Sequence, residues 1–331
     1  SYTIDVYRGR LAARRSFLDV ALYVSFFPQL VAGPIVRAPV LLPQLSCERR
    51  DVDWPGIQRG IALVCYGLAK KVFVADGVAH IVNEVFSAPE RFSGLGLVAA
   101  TYGFAVQIYC DFSGYSDIAI GTALILGISL PENFDRPYLS ASITEFWRRW
   151  HLSLSTWLRD YLYISLGGNR RGLARTYLNL MITMLLGGLW HGAGWNWLVW
   201  GALHGLFLCA ERFARVGDVA TGWARRALRG ALTFQLVCIG WVFFRASDLP
   251  TALDILQRIA TWAPGDLPAS WAPFALVALV LAADVSELRR RWIAFCEVHP
   301  TVVRWLVYVA FVVFPLVFAG AQNPEFIYFQ F

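Results

Sequence analysis

Apolar runs long enough to form buried helices recur along almost the whole chain, near residues 16–32, 57–79, 94–110, 115–130, 176–192, 195–211, 230–245, 271–285 and 302–320. Several are shorter than the roughly 20 residues that a perpendicular membrane span requires, so tilted, broken or re-entrant helices are expected among them. Composition agrees: 57% of the 331 residues are hydrophobic and 16% charged, which is not a soluble balance. The 14 Trp, 13 Tyr and 23 Phe exceed the needs of an apolar core and fit aromatic belts at two membrane–water interfaces. The expectation is an all-α, polytopic transmembrane protein forming one membrane domain over residues 1–331, with the lipid bilayer as its first partner.

The net charge of +6 comes almost wholly from arginine, since Lys70 and Lys71 are the only lysines. Arginines clustered between apolar runs orient a chain by the positive-inside rule. A nucleic-acid binder needs a basic face on a soluble domain, and no such domain is visible, so nucleic acid is excluded as a partner. The six cysteines stand singly, without a CxxC or disulfide framework, and read as small buried hydrophobes. Ser1 in place of Met, with no signal peptide after it, reads as a cut rather than a start.

Two stretches interrupt the helical pattern. In the first, Pro28 and Pro34 remove backbone donors inside an apolar run. Irregular backbone at that depth reads either as the wall of a wet cavity or as a plain kinked helix. In the second, 131–175, Ser142-Ile143-Thr144-Glu145 has capping-box spacing and predicts a helix start. Phe146, Trp150, Leu154, Trp157, Leu158, Tyr161 and Leu162 then recur at three- and four-residue steps, with Arg148, Ser155 and Arg159 on another face. An aromatic, basic helix of this kind fits an interfacial anchor. Seven arginines against four acids between 132 and 175 place the stretch on the cytoplasmic side.

Among five histidines, His191 ends the apolar run Thr183–Trp190, where an ionisable group is costly unless function or pairing offsets it. It reads as a functional residue or as a satisfied structural one, and so does His151 on the capped stretch. His204, flanked by Gly201 and Gly205, reads as a helix-packing residue. No HExxH, GxSxG, GxGxxG or P-loop pattern is present and no histidines are spaced as a zinc pair, so metal catalysis and nucleotide hydrolysis drop out. Gly167-Gly168-Asn169-Arg170-Arg171 suits either a phosphate contact or a positive-inside loop.

Taken together, Phe26–Ile35, Asp111–Asp117, Glu132–Tyr138, Glu145-Phe146-Trp147-Arg148-Arg149-Trp150-His151, Trp157–Tyr163, Gly167–Arg170 and Gly187-Gly188-Leu189-Trp190-His191-Gly192 resemble the membrane-bound O-acyltransferases, most closely the bacterial alginate O-acetylase type. The resemblance runs over essentially the whole chain. It implies re-entrant and interfacial helices around a central tunnel, in a multi-pass protein of the bacterial inner membrane. It also implies membrane helices ahead of the segment matching Tyr2–Gly9, missing here.

The Trp-His-Gly position implies that His191 is catalytic, with His151 at the second polar position. Desolvation favours the neutral imidazole, which suits a general base. The implied donor is cytoplasmic acetyl-CoA, with no bound cofactor and no metal. Arg148, Arg149, Trp150, Arg170, Arg171 and Trp190 are the candidate substrate-binding residues. The implied acceptor is an exported polysaccharide such as alginate, or a periplasmic partner protein that passes the acetyl group on. A transporter or channel, or a non-catalytic scaffold of an exopolysaccharide machine, would share the broken helices and buried polar residues.

Overall fold

The computed structural model describes residues 1–46, 53–214 and 222–318, and within them the chain is helical, with a lone bridge between Phe92 and Asp266 as the β feature. The helices are α1 (Tyr2–Tyr7), α2 (Phe17–Ser25), α3 (Ala38–Leu45), α4 (Trp54–Ala69) and α5 (Asp76–Ser87). Then follow α6 (Gly94–Ile125), α7 (Ile143–Trp147), α8 (Leu152–Trp157), α9 (Leu173–His191) and α10 (Trp195–Phe213). The last five are α11 (Trp223–Arg245), α12 (Leu249–Ala260), α13 (Ala272–Val285), α14 (Leu288–Val298) and α15 (Thr301–Phe318). Lys70–Ala75 and Leu158–Tyr163 are wound as π-helix. Among the described residues, α6 and α11 are long and apolar enough to cross a membrane. The expected runs 94–110 and 115–130 are a single helix, because the polar interruption at Asp111–Asp117 keeps its helical backbone and bonds its side chains to neighbours.

The chain forms two compact units. In the unit built from the described parts of 1–72, 112–133 and 287–322, α4 and the end of α6 touch backbone to backbone. A Cβ on Gly60 would meet the Gly121 carbonyl at 2.6 Å, and one on Gly67 would meet the Gly114 carbonyl at 2.5 Å. Two glycine pairs seven residues apart on antiparallel helices allow this approach, the small-residue contact of membrane helices. One cluster of charges in this unit is paired. Asp117 is 4% exposed and bonds Lys70 Nζ at 2.6 Å and Arg289 Nε at 2.8 Å, while Arg289 also reaches Glu132 at 2.9 Å.

The break at Pro28 is real. After α2 the chain makes one 3₁₀ turn over Phe27–Gln29, and Val31 takes φ 60°. Its backbone groups are bonded within the protein: Gln29 Nε2 donates to the Tyr23 carbonyl, and Tyr115 Oη donates to the Leu30 carbonyl at 3.1 Å. Pro28 and Pro34 are buried, which is how irregular backbone survives away from water.

The other unit, from the described parts of 73–111 and 134–286, has an aromatic core of Phe104, Tyr138, Phe146, Trp150, Trp241 and Phe244. Against it, α9 and α10 form a hairpin closed by glycines. A Cβ on Gly188 would lie 2.3 Å from the Trp197 carbonyl, and one on Gly201 would lie 2.4 Å from the Met184 carbonyl. Cys65, Cys110, Cys238 and Cys296 are buried and Cys209 is half-buried; Cys47 lies outside the described residues.

Candidate active site

The hairpin turn presents His191. It is the last residue of α9, half-buried, and the chain turns through Gly192 and Gly194 into α10. Gly192 leaves no room for a side chain, since a Cβ there would come within 2.3 Å of the Trp197 indole nitrogen. The imidazole is walled by rings, with centroids at 5.0 Å for Trp190, 5.1 Å for Phe244, 5.3 Å for Trp200 and 6.0 Å for Trp197, the last stacked. Trp197 and Trp200 were not among the residues expected from sequence; their signal was the aromatic density that follows the Trp-His-Gly turn.

The capped stretch begins as expected and then departs from it. Ser142 Oγ accepts from the Glu145 N–H at 3.0 Å, and the Glu145 carboxylate reaches back to the Ala141 N–H at 2.7 Å. Burial pushes the Glu145 carboxyl up, but the Ala141 N–H, Arg226 and Arg149 outweigh burial and hold it below the usual carboxylate range. The expected continuous helix over 142–162 is instead α7, a turn, α8 and a π-helical segment. The break is at His151, which takes the left-handed conformation at φ 44°, ψ 55° and starts α8. For a residue with a Cβ that backbone costs about 1–2 kcal/mol, a strain that persists only where the surroundings impose it. The amphipathic split survives the break: Phe146, Trp150, Leu154 and Tyr161 are buried, while Arg148 and Arg159 are exposed.

His151 is 4% exposed, and its ring lies within electrostatic reach of His191. The two histidines, 40 residues apart in sequence, therefore share one locality. Trp190, 58% exposed, stands beside His191 with its indole edge-on to the imidazole. Trp150 is 3% exposed, with Phe134 and Trp241 both at 5.0 Å, and packs in the aromatic core. Arg149 is held by Glu145 at 2.7 Å, while Arg148 faces outward.

Arg170 and Arg171 are exposed on the loop before α9, whose Gly167, Gly168 and Gly172 all adopt positive φ. Asn179 Nδ2 bonds the Gly168 carbonyl at 2.8 Å and ties the loop to the start of α9. These arginines and His191 thus occupy opposite ends of one helix, about 27 Å apart along its axis at 1.5 Å per residue. His204 is fully buried and, as expected, packs, with Trp200 at 4.9 Å and Trp147 at 5.2 Å.

Comparison with known proteins identifies the family of the chain. The family model described as MBOAT, membrane-bound O-acyltransferase family, matches residues 9–243. A probable alginate O-acetylase AlgI of Azotobacter vinelandii is 46% identical over 288 residues, covering 86% of this chain and 57% of its own length. The probable alginate O-acetylase AlgI of Pseudomonas aeruginosa is 46% identical over 270 residues, or 81% of this chain and 51% of its own. The peptidoglycan O-acetyltransferase of Helicobacter pylori is 42% identical over 243 residues, or 73% and 46%. The chain spans about half the length of these relatives. With the family model matched over most of its length, the chain belongs to the membrane-bound O-acyltransferase family.

Proposed function

We propose that the protein is an O-acetyltransferase that moves acetyl groups from cytoplasmic acetyl-CoA toward the O-acetylation of an exported, alginate-like polysaccharide, with His191 as general base. The observation that carries this reading is the half-buried imidazole of His191 at the end of α9, ringed by aromatic side chains and within electrostatic reach of His151. The names of the relatives, alginate O-acetylase and peptidoglycan O-acetyltransferase, support the acceptor class. The immediate acceptor is the polysaccharide or a periplasmic protein that relays the acetyl group. We place the protein in the bacterial inner membrane as a multi-pass chain whose helices surround a tunnel, with Arg170 and Arg171 on the cytoplasmic side.

In this mechanism the neutral His191 takes the hydroxyl proton as the acceptor oxygen attacks the thioester carbonyl. The carbon–sulfur bond then breaks, and the thiolate recovers the proton from the imidazolium. General-base catalysis of this type is worth about 10²–10⁴ in rate. The imidazolium forms at the C-terminus of α9, where the helix dipole stabilises a cation. His151 orients the thioester or stabilises charge developing on its oxygen. A donor that engages Arg170 or Arg171 and also reaches His191 has to span the length of α9.

The test is transfer from radiolabelled acetyl-CoA in membranes carrying the full protein, with wild type beside H191A and H151A at matched membrane levels. H191A is expected to lose about 10²–10⁴ of transfer, and H151A less. Retention of more than about a tenth of wild-type transfer by H191A would remove it as the base. Substrate flux without thioester turnover would indicate a transporter, and polysaccharide export indifferent to H191A a scaffold.

A further inference from the structure

We propose that Glu211 is a positioning residue for His151, an inference that rests on the acetyl-transfer reading above. Glu211 lies near the end of α10, 60 residues beyond His151 in sequence. Its carboxylate accepts from the Ile143 N–H at 2.5 Å, the Thr144 N–H at 2.9 Å and the Thr144 hydroxyl at 2.9 Å.

Those two amides are the first donors of α7, and a helix has no internal acceptors for them. Ser142 Oγ takes the next one, from Glu145. A five-residue helix has no independent stability, so its place is set by what caps it together with the packing of Ile143 and Phe146 in the core. From that anchor to His151 the chain has no slack: Arg149 N bonds the Phe146 carbonyl at 2.9 Å, Trp150 N bonds it at 2.8 Å, and the His151 carbonyl accepts from Ser155 N at 2.9 Å. The left-handed backbone at His151 therefore begins a fixed number of bonded residues after the anchor.

The same helix contributes to the other histidine. Near its start, α10 carries Trp197 and Trp200, two of the rings against His191. One rigid element thus sets the wall around His191 at one end and, through Glu211, the segment bearing His151 at the other. Sequence gives no local sign of this, because the carboxylate and the amides it caps are 68 and 67 residues apart.

The experiment measures kcat and KM for acetyl transfer in membranes carrying the full protein as wild type, E211A, E211Q, H151A and the double variant E211A/H151A. Hydrogen exchange of the peptide covering 142–151 is followed in parallel. E211A is expected to lower kcat about tenfold or more with donor KM within about twofold, and to speed exchange in that peptide. E211Q, which keeps an accepting oxygen, recovers part of the loss. On the H151A background E211A costs less than about twofold, because the residue it positions is gone. An equal loss on both backgrounds, or unchanged exchange over 142–151, overturns the proposal. If E211A fails to accumulate, the same cycle is run with E211Q and judged by the same criterion. Absence of acetyl transfer by wild type would defeat the functional reading instead, and the exchange measurement then decides the anchor alone.

Discussion

Gly187→Ala and Gly188→Ala are chemically the same change on adjacent residues of α9, yet their outcomes are expected to diverge. At Gly187 a Cβ meets only Leu158 Cδ1, at an ordinary 3.4 Å. The substitution there is neutral or stabilising by up to about 1 kcal/mol, the helical preference of Ala over Gly. At Gly188 the Cβ would lie 2.3 Å from the Trp197 carbonyl and 3.3 Å from Gly201 Cα, both backbone atoms of α10. Restoring ordinary contact moves α9 from α10 by about 1 Å, and overpacking of that kind costs about 1–3 kcal/mol. His191 is three residues further along, with the Trp197 ring stacked on it. A misplacement near 1 Å at a reacting group can cost about 10²-fold in rate. The assay is acetyl transfer at matched membrane levels, with thermal unfolding in detergent as the stability readout. Transfer by G188A within about twofold of G187A would refute the claim that the glycine contact sets the position of His191.

Three other outcomes follow from the site. Cysteines placed at 170 and 171 are expected to resist a membrane-impermeant thiol reagent in intact cells and to react once cells are permeabilised, since both positions are exposed; strong external labelling would reverse the topology. H151G is expected to be more stable to heat than H151A by about 1 kcal/mol, because glycine relieves the left-handed backbone while both variants lose the ring; equal melting points would remove the strain argument. Glu145 titrates below its unfolded value of about 4.3, so its contribution to stability is present above that pH and is lost as pH falls through the folded value. Acid unfolding of E145Q is therefore expected to be flatter over that window than that of wild type, and parallel curves would contradict it.

Local chemistry was legible in the sequence wherever residues a few positions apart act on one another. The Ser142–Glu145 cap, the break at Pro28 and the separation of arginines from aromatics along 146–162 are all of this kind. His191 stood out because an ionisable group at the end of an apolar run has few uses. The break at His151 was not legible: the apolar period continues across it, and a left-handed histidine is imposed by tertiary contacts rather than by its own preference. The burial of Trp150 was not legible either, because a core aromatic and an exposed one look alike at helical spacing. Glu211 and the paired glycines of α4 and α6 act only across long separations, where one sequence offers no pairing signal.

The charges around Asp117 have a consequence for how this protein can change over time. One carboxylate is shared by Lys70 and Arg289, and Arg289 is shared in turn with Glu132. Loss of Asp117 alone would leave Arg289 with Glu132 but take from Lys70, whose side chain is 16% exposed, its carboxylate partner, a cost toward the several kcal/mol typical of a broken buried pair. Neutralising the acid and its bases together, by contrast, is often tolerated. Substitutions at 117 and 70 are therefore expected to travel together, so that among descendants of this sequence a neutral residue at 117 comes with a neutral residue at 70, while Arg289 can stay on Glu132.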